Sequence, residues 1–181
     1  MWPCAQEPIA STCTRPVAAE IARRAIATYS DPGDLIVDPL CGDGTSLLEA
    51  IRLGRHALGV VGDNELAGAT VLARIARARA SGARGHAAAL FGDPAELPQL
   101  LARQAGGFLS RHRRRGVSLN AHPCGSADLI LLPAEPPPGR ASLRRPVTGE
   151  ALCCAAAAVL RPGGFLVISR SITLDVCRRD D

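Results

Sequence analysis

The chain of 181 residues has no lysine: all 21 of its basic residues are arginine. Alanine is abundant as well, a pairing that reflects the base composition of a gene more than a selected property. Aromatic side chains are nearly as scarce, with five in all and none between Phe108 and Phe165. Stacking of extruded or single-stranded bases relies on such rings, so no stacking residue is available in that stretch. No apolar run reaches 18 residues, which excludes a membrane-spanning helix. The opening MWPCAQEPIASTCTRP lacks a charged start followed by an apolar core, so the expected compartment is the cytoplasm. The seven cysteines are odd in number and include no C-x-x-C pair, which argues against a zinc site and a disulfide framework and leaves reduced thiols. His112 and His122 have no partners at metal-ligand spacing.

What the chain does have is 47% hydrophobic residues and a modest net charge of +4, enough for one globular domain with a real core. Its most informative stretch runs from Asp34 to Glu65. Leu35, Ile36 and Val37 fit a buried parallel strand, and Gly42 and Gly44 allow a tight turn whose amides can approach a ligand. Leu47, Leu48 and Ile51 recur at helical spacing until Gly54. Ala57 to Val61 form a second apolar run leading to Asp63, about 20 residues past the glycines, where a carboxylate can accept ribose hydroxyls. The pattern is one half of a fold that binds a nucleoside-bearing cofactor.

A dinucleotide fingerprint needs a third glycine, and that position is Leu47. Asp38 and Asp43 also set negative charge where a pyrophosphate would lie, which favours a cationic ligand. The turn Asp38-Pro39-Leu40-Cys41-Gly42-Asp43-Gly44-Thr45 resembles the D-P-F-x-G-x-G-T turn of S-adenosylmethionine-dependent methyltransferases that modify exocyclic amino groups of adenine or cytosine in DNA. The resemblance implies a cofactor, S-adenosylmethionine, held by Asp38, Pro39, Cys41, Gly42, Gly44 and Thr45. Asp63 would take the ribose, although the family register puts that acid at Val61. It also implies a doubly wound, mostly parallel Rossmann-like α/β sheet of about five strands with helices on both faces.

The expected organisation is a single domain over residues 1–181, with a lid and leading helix over 1–30 and a cofactor-binding half over 31–100. A basic loop follows over 105–126, and a half bearing the catalytic turn over 127–171. In the leading helix Val17, Ile21, Ala25, Ile26 and Tyr29 form one apolar face, and Asp31-Pro32-Gly33-Asp34 is the turn into the first strand. Trp2 and Gln6 with the segment that follows are similar to the family's cover over the methionine end of the cofactor; Trp2 is equally a terminal aromatic seeking cover. Leu66, Val71, Leu72 and Ile75 predict a helix, and His86 to Phe91 a third strand. Asp93 has two readings that do not exclude each other. With Pro94 and Glu96 it forms a capping sequence, while the resemblance makes Gly92 and Asp93 the reader of the adenine ring.

Arg111, Arg113, Arg114 and Arg115 form the dense basic cluster. They are either a solvated insertion or a track for a phosphate backbone, DNA in preference to RNA. The strand Asp128 to Leu132 leads to the position of the family's catalytic turn, an Asp, Asn or Ser followed by two prolines and an aromatic. There the first side chain accepts from the target amino group and the ring stacks on the extruded base. This chain reads Leu132-Pro133-Ala134-Glu135-Pro136-Pro137-Pro138. Register by strand length puts Pro133 and Pro136 at the acceptor and aromatic positions, where neither function is present. A slip of two residues gives the catalytic candidates Glu135, Pro136 and Pro137, without the ring. Leu152, Ala156, Val159 and Leu160 predict a last helix, Arg161-Pro162-Gly163-Gly164 its stop, and Phe165 to Ser169 a fifth strand. Only SRSITLDVCRRDD remains, short of the family's usual ending. An open edge and a homodimer through it are expected, unless the alternating Ile172, Leu174 and Val176 supply a covering strand. The reading is a methyltransferase resembling those acting on DNA bases. Its alternatives are an inactive cofactor- or nucleic-acid-binding remnant of that family and a methyltransferase of small molecules.

Overall fold

A computed structural model describes residues 19–62, 65–105, 108, 125–133, 149–170 and 173–180. Its elements in chain order are α1 (Ala19–Tyr29), β1 (Leu35–Asp38), α2 (Thr45–Arg52), β2 (His56–Val60), α3 (Glu65–Ala80) and β3 (Ala87–Leu90). A 3-10 turn (Pro94–Glu96), α4 (Leu97–Gln104), β4 (Ala127–Pro133), α5 (Gly149–Val159), β5 (Leu160–Arg170) and β6 (Thr173–Arg178) complete the described chain.

The strands form one sheet in the order β3-β2-β1-β4-β5-β6. The first five are parallel to their neighbours, and β6 runs antiparallel to β5. Order reverses between β1 and β4, and a crevice at the carboxyl ends of those two strands is where such sheets take ligands. The expected sheet of about five strands therefore has six. Phe165 to Ser169, expected to end the sheet at an open edge, pair with Arg178 back to Leu174. The alternation around Val176 produces this covering strand, and the edges of the described sheet are β6 and β3.

The strands are apolar on both sides because helices cover both. One face packs Ile36, Ala57 and Leu129 against Ala22, Ala25 and Ile26 of α1, Leu47 and Ile51 of α2, and Val71 and Ile75 of α3. The other packs Val37, Leu58, Leu90 and Ile130 against Leu97, Leu100 and Leu101 of α4 and Ala156 and Val159 of α5. In α3 the buried residues are Ala67, Gly68, Val71, Ile75 and Ala78. Leu66 and Leu72, expected on that face, are 73% and 48% exposed. At position 68 the phenyl ring of Phe91 lies directly over the backbone, so that site on the inward face takes glycine.

Two further differences concern punctuation. Arg161-Pro162-Gly163-Gly164 does not separate helix from strand. The helix stops at Val159, and these four residues are an irregularity inside β5, where the register jumps from Ala127 opposite Leu160 to Leu129 opposite Phe165. The Asp31 to Asp34 turn closes as expected, with the Asp34 amide donating to the Asp31 carbonyl at 3.0 Å. The Asp34 carboxylate in turn accepts the Asp31 amide at 2.8 Å.

Candidate cofactor site

The glycine turn stands at the carboxyl end of β1, beside the point where strand order reverses. Asp38, the last residue of β1, is 3% exposed. One of its carboxylate oxygens accepts the Leu40 amide at 2.9 Å and the other accepts the Ser46 hydroxyl. Its charge thus ties the strand tip to the first turn of α2, where an acid also suits the positive end of the helix dipole. Pro39 and Leu40 are buried in the turn.

Cys41 is 3% exposed and faces the core. Its thiol donates to the Val60 carbonyl at 3.3 Å, so the residue pins the turn to the end of β2, and what it offers a ligand is backbone. The approach is possible because residue 59 is glycine: a Cβ there would stand 2.7 Å from both Cβ and Sγ of Cys41. Gly44 has φ of +80° and caps α2. A side chain on it would be strained and would stand 3.0 Å from Cγ1 of Val71. Gly42 is also left-handed, with φ of +54°.

Asp43 is not a free charge. Arg74 of α3 pairs with its carboxylate and donates to its carbonyl at 2.7 Å. The remaining carboxylate oxygen accepts the Thr45 amide at 3.1 Å and the Thr45 hydroxyl at 2.8 Å. The expectation that Asp38 and Asp43 together repel a pyrophosphate therefore loses half its basis, because an arginine from outside the motif offsets Asp43. Nothing in the local sequence announces Arg74, which lies 31 residues downstream.

At the end of β2, Val61 keeps its pairing with β3, donating to the Leu90 carbonyl at 3.0 Å, and its side chain belongs to the core. The family's ribose acid has an apolar residue in its place here, and Asp63 lies outside the described residues. Beyond β3, Asp93 caps the 3-10 turn, its carboxylate accepting the Ala95 amide at 2.9 Å. Glu96 does not return the bond; its carboxylate reaches the exposed Arg103 at 3.4 Å. Gly92 and Asp93 thus sit at the carboxyl end of β3, on the same rim of the sheet as the glycine turn. Gln104 supports that rim from α4, its amide accepting the Phe91 N–H at 2.9 Å and donating to the Phe91 carbonyl at 2.6 Å.

The structure therefore brings Asp38, Pro39, Cys41, Gly42, Gly44, Thr45, Gly92 and Asp93 to one end of the sheet. Glu135, Pro136 and Pro137, the arginines at 111 and 113–115, Asp63, Trp2 and Gln6 lie outside the described residues. Among the described residues no group of three His, Cys, Asp or Glu is placed to hold a metal ion, and no helix is long and apolar enough to cross a membrane.

No curated protein matches the chain. Solved structures do. A geranyl diphosphate methyltransferase in complex with SAM is 18% identical and covers 83% of this chain and 46% of its own, at a TM-score of 0.52. A precorrin 8W decarboxylase of Methanobacterium thermoautotrophicum is 19% identical over 88% of this chain and 67% of its own, also at 0.52. The 4+2 cyclase SpnF is 18% identical over 94% of this chain and 55% of its own, at 0.53. Likeness at such identity speaks to the fold, and the chain spans about half the length of the geranyl diphosphate methyltransferase and of the cyclase. The family model described as DNA methylase matches residues 5–69, the stretch that contains the glycine turn. Over those residues the chain is similar to the DNA amino methyltransferases, and it carries that similarity on the Rossmann-like fold of S-adenosylmethionine-dependent methyltransferases.

Proposed function

We propose that the chain is an S-adenosylmethionine-dependent methyltransferase domain whose acceptor is an exocyclic amino group of a DNA base. The observation that carries this reading is the position of the Asp38 to Thr45 turn. It lies at the strand-order reversal of the sheet and inside the segment that matches DNA methylases. The residues present fit the cofactor at that turn. Two left-handed glycines expose backbone without side chains, and Asp38 fixes the loop against α2. Arg74 offsets Asp43, and the buried Asp38 carboxylate at the strand tip still sets the turn against a polyanion and leaves it suited to a zwitterionic amino acid end.

In this reading residues 38–45 hold the methionine part, Gly92 and Asp93 the adenine, and Asp63 the ribose. When bound, the cofactor supplies an electrophilic methyl group. Glu135 would accept a hydrogen bond from the target amino group and take up the proton the nitrogen loses as it gains the methyl group, and Pro136 and Pro137 would stiffen the loop that carries it. Arg111, Arg113, Arg114 and Arg115 meet the phosphates of DNA, with affinity falling as salt rises. The protein works in the cytoplasm, and the outer edge of β6 is the surface through which two copies would pair.

Calorimetric titration with S-adenosylmethionine tests the cofactor, and labelled methyl transfer to DNA, RNA and small amines tests the acceptor. Transfer to DNA that Glu135→Ala abolishes supports the proposal. Absence of binding refutes it. Binding without transfer, unaffected by Glu135→Ala, identifies a binding remnant, the outcome that the missing stacking ring favours. Transfer confined to small amines identifies the other alternative.

A further inference from the structure

Helix α3 holds the glycine turn from a side that the turn's own sequence does not reveal. Val71 lies under Gly44, so the helix backs the turn directly. One helical turn later Arg74 reaches the same loop, its Nη1 donating to the Asp43 carbonyl at 2.7 Å and pairing with the Asp43 carboxylate. Its Nη2 stands 3.4 Å from the Thr45 hydroxyl, and that hydroxyl and the Thr45 amide both donate to Asp43. One planar guanidinium thus fixes a carbonyl, a carboxylate and a hydroxyl on residues 43 and 45, on either side of the helix cap. A lysine could supply the charge but not this fork. The pair is partly shielded, with side chains 31% and 16% exposed.

We infer that Arg74 is a positioning residue for the cofactor turn, which sets the direction of the amides of residues 42–45 and cancels the charge of Asp43 beside the ligand. The inference rests on reading that turn as the cofactor site. Without the guanidinium, the short Asp43 side chain is free to bond other amides of its own loop, as aspartates in turns do. Those are the donors a ligand would use. The charge and the geometry are separable, because loss of geometry weakens every ligand whereas loss of charge changes the preference between ligands of different charge.

The test compares wild type with Arg74→Ala, Arg74→Lys and Arg77→Ala, the last an exposed arginine in the final turn of α3. Amide hydrogen exchange is followed without ligand, and binding of S-adenosylmethionine and of its neutral product S-adenosylhomocysteine is measured by calorimetry. For Arg74→Ala, exchange at Gly44 to Leu48 is expected to rise tenfold or more with β4 unchanged. Affinity for both ligands should drop at least tenfold, and the preference for the cationic one should rise at least threefold. Arg74→Lys should restore the wild-type preference but not the affinity, and Arg77→Ala should match wild type. If Arg74→Ala does not fold, Asp43→Asn gives the exchange readout with the shape kept. Unchanged exchange together with unchanged preference overturns the inference. A wild type that binds neither ligand overturns the cofactor reading instead, and leaves the exchange comparison to decide the role of Arg74.

Discussion

The sulfur of Cys41 and the backbone of Gly59 occupy space that allows no additional atom: a Cβ at residue 59 would stand 2.7 Å from Cys41 Cβ, 2.7 Å from its sulfur and 2.8 Å from Leu47 Cδ1. A strand in the middle of the sheet and a turn at its end are thereby fitted to each other. Gly59→Ala is expected to destabilise the protein by about 1–3 kcal/mol, as overpacking of a well-filled core does. Because the relief available is movement of the turn, cofactor affinity should fall with it. Urea unfolding together with calorimetry checks both effects. Unchanged stability would mean that the turn moves at no cost.

Asp38 and Ser46 form the second fastening of that turn. Asp38 is buried, so Ser46→Ala removes one of its donors without giving water easy access. The expected loss is about 1–3 kcal/mol, the range for leaving a buried polar group short of a partner. Ser46→Thr, which keeps the hydroxyl, should recover most of it unless the added methyl is not accommodated, and equilibrium unfolding of the pair separates hydroxyl from volume.

How far the sequence could be read follows from how local each cause is. Leu35 to Val37, the glycine turn and Leu47, Leu48 and Ile51 declare themselves through neighbours, and the structure places them as strand, turn and helix. The rim formed with Gly92 and Asp93 follows from the parallel order of the strands. Arg74, Arg55 and Asp128 were not legible, because each acts on residues far away in sequence. Asp128 accepts the Leu35 amide at 2.7 Å across 93 positions and pairs with Arg161. On α3 the expected face holds for Val71 and Ile75 and fails for Leu66 and Leu72 for a related reason: hydrophobicity alone favours the leucines, whereas the distant Phe91 turns Gly68 inward.

Arg55 illustrates such a distant cause in a form that can be measured. It is 7% exposed and spans the end of α1, donating to the Ser30 carbonyl at 2.6 Å, the Ser30 hydroxyl at 3.2 Å and the Leu53 carbonyl at 2.7 Å. A lysine cannot reproduce this fork. Arg55→Lys should cost about 1.5–3 kcal/mol, the range for hydrogen bonds to a charged group, in chemical denaturation. Arg103→Ala should stay within about 0.5 kcal/mol, because its ion pair with Glu96 joins side chains that are 66% and 58% exposed.

Two carboxylates set opposite slopes of stability with pH. Burial, with a smaller contribution from the Asp128 charge, raises the pKa of Asp34 above its ordinary 3.8. The folded state then holds more protons than the unfolded one as pH rises from that value, so this group's contribution falls with rising pH. Asp34→Asn should remove that fall. Arg23 and Arg24 lower Glu20 to about 2 from an ordinary 4.5, so its contribution is complete above 4.5 and lost as pH drops toward 2. Glu20→Gln should flatten the acid side alone. Thermal midpoints of the three proteins between pH 2 and 7 distinguish the slopes, and parallel curves would refute both assignments.

Gln104 completes the rim by acting as a single residue of an additional strand. Its amide both accepts from and donates to the backbone of Phe91, one position before Gly92 and Asp93, where β3 has no strand partner on its outer side among the described residues. Because the pairing is exposed, water replaces much of it, and Gln104→Ala should cost no more than about 1 kcal/mol in global stability. The local effect should be larger. Exchange of the Phe91 amide should quicken, and, in the proposed reading of Asp93 as the adenine contact, cofactor affinity should weaken with it. Gln104→Glu keeps the acceptor but loses the donor, so it should protect the Phe91 amide while still releasing its carbonyl. Equal exchange at Phe91 in wild type and Gln104→Ala would show that Gly92 and Asp93 are held by the capping turn alone.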